Sequence, residues 1–132
     1  MSAHLPYEDR QPSPQEVRVV VRELERARRL LCLGQLNDGA LQVVRCCGWM
    51  ERHTPFILYP PHRSTSMGLC GARLELRRAL SELMGVTAML LMLQGDDDQA
   101  ARALGWAQSF TVLDCPIGAS YERLQRDMGG VG

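Results

Sequence analysis

Apolar residues recur at helical spacing along most of the chain, and this pattern predicts an all-α protein. The first helical stretch follows Ser13, which can cap a helix that has Pro14 at its first position and Glu16 at its third. This helix is predicted to run to about Leu33 and to end near Gly34. The residues of its apolar stripe are Val17, Val20, Val21, Leu24, Ala27, Leu30 and Leu31.

A second helix is predicted from Ala40 to Arg52, after a turn formed by Asn37-Asp38-Gly39. Its valines lower helix propensity, so a strand stays open as an alternative. The residues predicted for its buried stripe are Leu41, Val44, Cys47 and Met50.

The stretch from Thr54 to Met67 interrupts the helical pattern with three prolines and a polar Ser-Thr-Ser run. It predicts a long loop, and such loops in compact domains are often functional. The apolar residues Phe56–Tyr59 lie inside it. They have two interpretations: they cover an open side of the core, or they form a flap over a binding site.

A long helix is predicted for residues 68–93, followed by Gly95 as its end and a further helix from about Asp97 to Val112 or Leu113. Gly85 can mark a kink, a break or a close contact, and the segment beyond it is apolar on all sides. The inward residues of the long helix are predicted to be Ala72, Leu76, Ala79, Leu80, Leu83, Thr87 and Leu90, with Arg73, Glu75, Arg77, Arg78 and Glu82 on the opposite face. The last helix is predicted to turn Ala100, Ala103 or Leu104, Ala107 and Phe110 inward.

Pro116 ends that last helix, and a short final helix can form near residues 120–128. The predicted fold is therefore four to five helices in antiparallel hairpins. We expect a flexible arm at residues 1–13, a single helical domain at 14–128 and a flexible tail at 129–132.

Charge and composition narrow the range of functions that the chain can have. Fifteen arginines balance fifteen acidic residues, so the net charge does not favour binding to nucleic acid. The chain has no lysine, which excludes catalysis through a Schiff-base lysine and phosphate binding by a phosphate-loop lysine. The arginine bias indicates GC-rich codons and a bacterial source. Five cysteines, two of them adjacent, do not suit a disulfide framework, so a reducing cytoplasm is expected. There is no apolar signal-peptide core, and the densest apolar run, Leu83–Leu93, is too short to cross a membrane.

No residue cluster predicts a reaction, a metal site or a cofactor. Cys46-Cys47, His53, His62 and Cys70 lack the spacing that zinc sites use, and no nucleophile elbow accompanies them. The run Asp96–Asp98 lacks the alternating oxygens of a calcium loop, so it is interpreted as a helix cap. A thiol- or metal-dependent enzyme is the lesser alternative, and no small-molecule substrate is expected.

Two stretches are similar to a DNA-binding helix-turn-helix, which is the main alternative function. They are S-E-L-M-G-V-T at residues 81–87 and A-R-A-L-G-W-A-Q-S-F at residues 101–110. The first offers few donors for base edges, and the second is soon followed by Pro116.

One segment resembles a tetratricopeptide repeat, in which small residues let two helices pack closely across a glycine turn. Its spacing is carried by Ala88, Leu91, Gly95, Ala100, Leu104 and Ala107. The helices around Gly34 resemble the same unit loosely, with Ala40 one residue out of phase. Small proteins of this kind resemble the bacterial type III secretion chaperones, and the segment Leu33–Arg45 shares that character. The resemblance implies a cytoplasmic chaperone or adaptor that shields a partner's amphipathic helix.

The expected binding surface is the methionine-rich segment Met84–Leu93 together with the Trp106 helix, with the Phe56–Tyr59 loop as a flap. Methionine adapts its shape and recurs at surfaces that accept apolar helices. Self-association is the other expected use of such a surface. The candidate partner-binding residues are Trp49, Phe56, Tyr59, Leu83, Met84, Leu90, Leu91, Trp106 and Phe110.

Overall fold

The computed structural model describes residues 11–112, and 82% of these residues are helical, with no strand among them. The all-α prediction is therefore confirmed for this range. The predicted 120–128 helix, the whole predicted tail 129–132 and residues 1–10 of the predicted arm lie outside the described residues. The helices are α1 (Pro14–Cys32), α2 (Leu36–Arg52), α3 (Thr54–Leu58), α4 (Met67–Leu93) and α5 (Asp97–Val112).

Helix α1 begins at the cap that the sequence predicts. The Ser13 hydroxyl accepts a hydrogen bond from the Glu16 backbone N–H at 3.1 Å, and the Glu16 carboxylate accepts one from the Ser13 N–H at 3.4 Å. This reciprocal capping box satisfies two donors that the first turn leaves without helical partners. The predicted inward stripe is buried from Val17 to Ala27.

Two three-residue connections, 33–35 and 94–96, share one geometry. Each has a central glycine, Gly34 or Gly95, with a φ of 81°. In each, the third residue donates to a carbonyl five residues back: Gln35 N to Leu30 O and Asp96 N to Leu91 O, both at 2.9 Å. Only glycine adopts this left-handed conformation without strain, so the prediction that helices end at these two residues is confirmed.

Helix α2 differs from its prediction in two ways. It begins at Leu36, so the Asn37-Asp38-Gly39 sequence forms its first turn. Its inward face carries Gly39, Gln42 and Cys46, whereas the predicted core residues Leu41 and Val44 are 51% and 63% exposed. The predicted burial of Leu41 and Val44 was therefore wrong, whereas Met50, also predicted for this face, packs against the core. The strand alternative is excluded for this stretch.

The reason is a close approach between α1 and α2. A Cβ atom at Gly39 would lie 2.6 Å from Leu31 Cδ2, so the Leu31 side chain of α1 packs directly on the bare backbone of α2 at Gly39. Gln42 follows on the same face, and its amide donates to the Glu23 carboxylate of α1. Apolar periodicity does not detect a face formed by glycine and a paired glutamine.

The predicted long loop contains the short helix α3, and Pro55 lies in its first turn. Phe56 and Ile57 are each 4% exposed and belong to the central apolar cluster. These two residues therefore cover the core, which was the first of the two interpretations. Residues 59–66 complete the connection, and Ser66 then caps α4 by accepting from Leu69 N at 3.2 Å.

The main packing pairs are α1 with α2, α1 with α4, and α4 with α5. Helix α4 runs through Gly85 without a break, and a methyl group at Gly85 would contact nothing. No described helix is long and apolar enough to cross a membrane. The central cluster is formed by Val17, Val20, Val21, Leu24, Ala27, Cys46, Phe56, Ile57, Leu69, Ala72, Leu76, Ala79, Leu80 and Leu83.

Candidate functional site: an apolar cleft between α2 and α5

Two arginines of α4 hold α3 against the core. Arg73 Nε donates to Phe56 O at 2.7 Å, and Arg73 Nη2 donates to Tyr59 O at 2.6 Å and to Ile57 O at 3.3 Å. Arg77 Nη1 also donates to Ile57 O. These bonds satisfy the carbonyls of a helix too short to pair them internally.

The predicted solvent-facing position of these two arginines was wrong, because Arg73 and Arg77 are only 2% and 1% exposed. Burial lowers the pKa of Arg77, since the charged form loses hydration. A signal for their burial was present: both residues lie in phase with Leu69, Leu76 and Leu80 on the inward stripe. Hydropathy alone places arginine outside, although its guanidinium can satisfy several carbonyls at once.

Arg77 also connects α3 to the end of α5. Its Nη2 donates to Ser109 O at 2.8 Å, and its guanidinium carbon lies 5.4 Å from the centre of the Phe110 ring. One helical turn further along α4, the Ser81 hydroxyl donates to Ala107 O at 2.8 Å. The last turns of α5 are therefore held against α4, which positions the aromatic residues at the end of α5.

An open apolar cleft of about 340 Å³ lies between α2 and α5. These two helices are not among the main packing pairs, so the helices α2, α1, α4 and α5 form an open series with the cleft at its gap. Its wall is almost entirely apolar, with Glu51 and Thr54 at the polar positions. The lining residues are Cys47, Met50, Glu51, Thr54, Ile57, Leu58, Leu80, Met84, Trp106 and Phe110.

One wall of the cleft carries the aromatic side chains of α5. The Trp106 and Phe110 rings stack with centroids 5.7 Å apart and an interplanar angle of 27°. Trp106 is 50% exposed, so a large apolar surface remains in water. Met84 of α4 and Met50 of α2 add two flexible thioethers to the surrounding wall.

Three of the nine candidate binding residues, Met84, Trp106 and Phe110, lie in this cleft. Phe56 and Leu83 lie in the core, with their side chains almost fully buried. In the structure Phe56 therefore packs in the core and does not contribute to an open surface. Ile57 and Leu58 of the lining belong to the segment predicted as a flap, and the cleft residues that sequence reasoning did not assign to a site are Cys47, Met50, Glu51, Thr54 and Leu80.

The other candidates lie away from the cleft lining. Trp49 Nε1 donates to the Glu16 carboxylate at 2.8 Å, and its ring lies 4.5 Å from that of His53. Tyr59 is exposed, and its carbonyl is one of those bound by an arginine of α4. Leu90 and Leu91 are half-buried near the end of α4, where Met89, Met92 and Leu93 are exposed.

Among residues 11–112, no group of three or more His, Cys, Asp or Glu side chains could hold a metal ion. The four cysteines of this range are free thiols. Burial raises the pKa of the Cys46 thiol, and the Glu23 carboxylate and the Cys47 thiol contribute in the same direction. A raised pKa keeps Cys46 protonated, which is the opposite of what a nucleophilic cysteine needs.

The two stretches similar to a helix-turn-helix lie inside α4 and α5. Both helices run without interruption through these stretches, so neither stretch contains a turn. The motif interpretation of these residues was therefore wrong.

Comparison with protein-family models, curated proteins and solved structures found no match to this chain. Inferences about function therefore depend on the cleft and on the residues that form it.

Proposed function

We propose that this protein is a non-enzymatic binding module that buries the apolar face of a partner's amphipathic helix in the cleft between α2 and α5. The observation that carries the proposal is the cleft itself. It is an open apolar wall, formed by four helices, at the point where the helix series does not close. An inserted helix would remove this wall from water, which is the main favourable term in such associations.

The chemistry of the wall suits a helix with bulky apolar side chains. The methionines Met50 and Met84 can adapt to the shape of a ligand, and Leu80 lies between α2 and α5 at the cleft. Trp106 provides a half-exposed aromatic surface of the kind that often dominates binding energy. The polar positions are few, so the proposed affinity depends mainly on apolar burial.

We also propose that the helix pairs α1/α2 and α4/α5 are antiparallel hairpins related to tetratricopeptide repeats. The supporting observation is a common spacing. Buried or turn residues stand at Ala27, Gly34, Gly39, Gln42 and Cys46, and the same spacing recurs 61 residues later.

The later set is Ala88, Gly95, Ala100, Ala103 and Ala107, all buried except the turn glycine. Gly39, and not Ala40, therefore corresponds to the alanine of the α5 unit. The glycine provides an even closer helix approach. This correspondence supports an internal repeat, and with it the proposed role as a chaperone or adaptor of the type III secretion kind in a bacterial cytoplasm.

Capture from lysate of the native cell, with a matched pair of variants, tests the binding proposal. Met84→Glu places a charge in the cleft, whereas Met67→Glu makes the same change at an exposed position of the same helix. Circular dichroism first establishes that both variants keep the helix content of the wild type. Quantitative mass spectrometry then compares the proteins captured by the three chains.

The proposal expects the wild type and Met67→Glu to capture a partner in stoichiometric amount. Met84→Glu should capture at least about tenfold less of that partner, because burying a charge at an apolar contact weakens binding by more than about 1.4 kcal/mol. Equal recovery by all three chains would contradict the proposal. A monodisperse monomer without any partner would contradict it as well.

A further inference from the structure

The outward face of α4 carries an apolar stripe along almost the whole helix. Met67, Met89 and Met92 are 89%, 61% and 54% exposed, and Leu74 is 50% exposed. A Cβ atom added at either glycine of the stripe would meet no atom within 4 Å. The spacing of the stripe residues keeps them on one side of the helix. These residues are Met67, Gly71, Leu74, Gly85, Met89 and Met92.

The stripe lies between the two flanks of α4 that other helices occupy. Helix α1 lies along one flank, where Arg28 pairs with Glu82 at 3.6 Å. Helix α5 lies along the other flank, where the Ser81 hydroxyl donates to Ala107 O at 2.8 Å. Among residues 11–112, the stripe is therefore the side of α4 that no other helix covers.

Two charges of opposite sign stand at the centre of the stripe. The Arg78 side chain is 82% exposed, and its Nε pairs with Glu82 at 3.4 Å. The two residues lie at equal distances on either side of position 80. Gly71 and Met89 are also equally distant from that position, so a small residue on one side matches a long one on the other. The stripe is thus complementary to itself when it is turned end to end.

We propose that α4 pairs in antiparallel orientation with α4 of a second copy of the chain, about a two-fold axis near position 80. Arg78 of each copy then faces Glu82 of the other, and Met89 of each packs over Gly71 of the other. A parallel pairing in register would instead bring Arg78 against Arg78 and Glu82 against Glu82. The charge pattern therefore selects both a second copy as the occupant and the antiparallel orientation.

The size of the stripe predicts a weak, reversible dimer. Residues 67–92 extend about 38 Å along a helix about 10 Å wide, so two copies bury roughly 800 Å² in total. Interfaces of this size belong to transient associations, and we expect a dissociation constant above about 1 μM. The cleft residues of α4, Leu80 and Met84, lie on a different side of the helix, so each copy keeps its cleft open.

Sedimentation velocity on the full chain, from about 1 μM to about 1 mM, measures this association. The matched variants are Met89→Glu in the stripe and Val44→Glu on α2, at positions that are 61% and 63% exposed. Circular dichroism first establishes that both variants keep the helix content of the wild type. The wild type and Val44→Glu should pass from monomer to dimer with the same dissociation constant.

Met89→Glu should raise that dissociation constant by at least about a hundredfold. The two-fold axis places the substitution in the interface twice, and each buried charge weakens binding by at least about tenfold.

An exchange of charges tests the orientation. Arg78→Glu and Glu82→Arg should each weaken self-association by about tenfold, because like charges then face each other across the axis. An equimolar mixture of these two variants should form a mixed dimer with nearly the wild-type dissociation constant, since each pair of facing residues again has opposite signs. Fluorescent labelling of one variant reports the mixed species.

A wild type that stays monomeric over the whole range overturns the inference. Equal dissociation constants for Met89→Glu and Val44→Glu overturn it too, and so does a mixture of charge variants without preferred mixed dimers. Loss of the dimer in Met84→Glu, with Met89→Glu unaffected, would assign the second copy to the cleft instead. Partner capture through the cleft fails or succeeds separately, because the cleft and the stripe lie on different sides of α4.

Discussion

Replacement of Arg73 tests whether buried guanidinium groups hold α3 in place. Arg73→Met keeps most of the side-chain length and apolar volume but removes every donor. The carbonyls of Phe56, Ile57 and Tyr59 then lose the bonds at 2.7, 3.3 and 2.6 Å that they receive from Arg73. Water cannot easily replace them, because Phe56 and Ile57 are buried in the central cluster.

A hydrogen bond to a charged group contributes about 1.5–3 kcal/mol, and a buried acceptor left without a partner is unfavourable by about 1–3 kcal/mol. Removal of the unfavourable burial of the cation offsets part of this loss. We therefore expect Arg73→Met to lower the free energy of unfolding by about 3–5 kcal/mol. Arg73→Lys keeps the charge but not the planar fork, so we expect a smaller loss of about 2–3 kcal/mol.

The measurement is urea denaturation followed by circular dichroism. With a slope near 2 kcal/mol/M, the Arg73→Met midpoint should fall by about 2 M. Arg78→Met is the control, since Arg78 lies on the exposed face of the same helix and pairs with Glu82 at 3.4 Å. Its effect should stay within about 0.5 kcal/mol.

Hydrogen exchange locates the effect. Amides of residues 54–59 should exchange faster in Arg73→Met than in Arg78→Met, even where the rest of the helices remains protected. A loss for Arg73→Met no larger than that of Arg78→Met would refute the anchoring role of the buried arginine. Unchanged exchange in residues 54–59 would refute it too.

Three further predictions concern stability. Ser13→Ala removes the cap of α1 and should lower the free energy of unfolding by about 1 kcal/mol, measured in urea, and Ser13→Asp should restore it. Gly85→Ala should raise stability by about 0.5–1 kcal/mol, because the helix is continuous there and the added methyl contacts nothing; a loss would indicate a hidden close contact. The raised pKa of Cys46 means that folding favours the protonated thiol, so its contribution is complete below the ordinary value of 9.0 and is lost as pH rises through the raised value. Unfolding free energy should therefore fall more steeply above pH 9 in the wild type than in Cys46→Ala, and parallel profiles would contradict this.

Local chemistry made the start of α1 and the ends of α1 and α4 predictable. The Ser13 cap, with Pro14 and Glu16 behind it, specifies where α1 begins, because side chain and backbone satisfy each other within one turn. Gly34 and Gly95 specify where α1 and α4 end, since only glycine adopts the left-handed turn without strain. These interactions span a few residues, so they can be seen in the sequence directly.

The candidate site was only partly predictable, for a different reason. Met84, Trp106 and Phe110 lie on two consecutive helices, and their apolar character drew attention to the surface that they share. The opposite wall of the cleft is formed by residues of α2 and α3. Which residues of α2 face the cleft depends on the rotation of α2 about its own axis where it packs against α1. That rotation is set by the contact of Gly39 with Leu31, which a pattern of apolar residues does not encode.

What the sequence by itself determined is therefore the all-α class of the described residues, the inward stripe of α1, the two glycine turns and the bounds of α4 and α5. Only the tertiary structure decided which residues of those elements are buried together. It placed Arg73 and Arg77 inside, because distant carbonyls of α3 and α5 needed donors. It also left the cleft open between α2 and α5, because a gap between helices depends on their mutual packing, and contacts across such distances are absent from any local pattern.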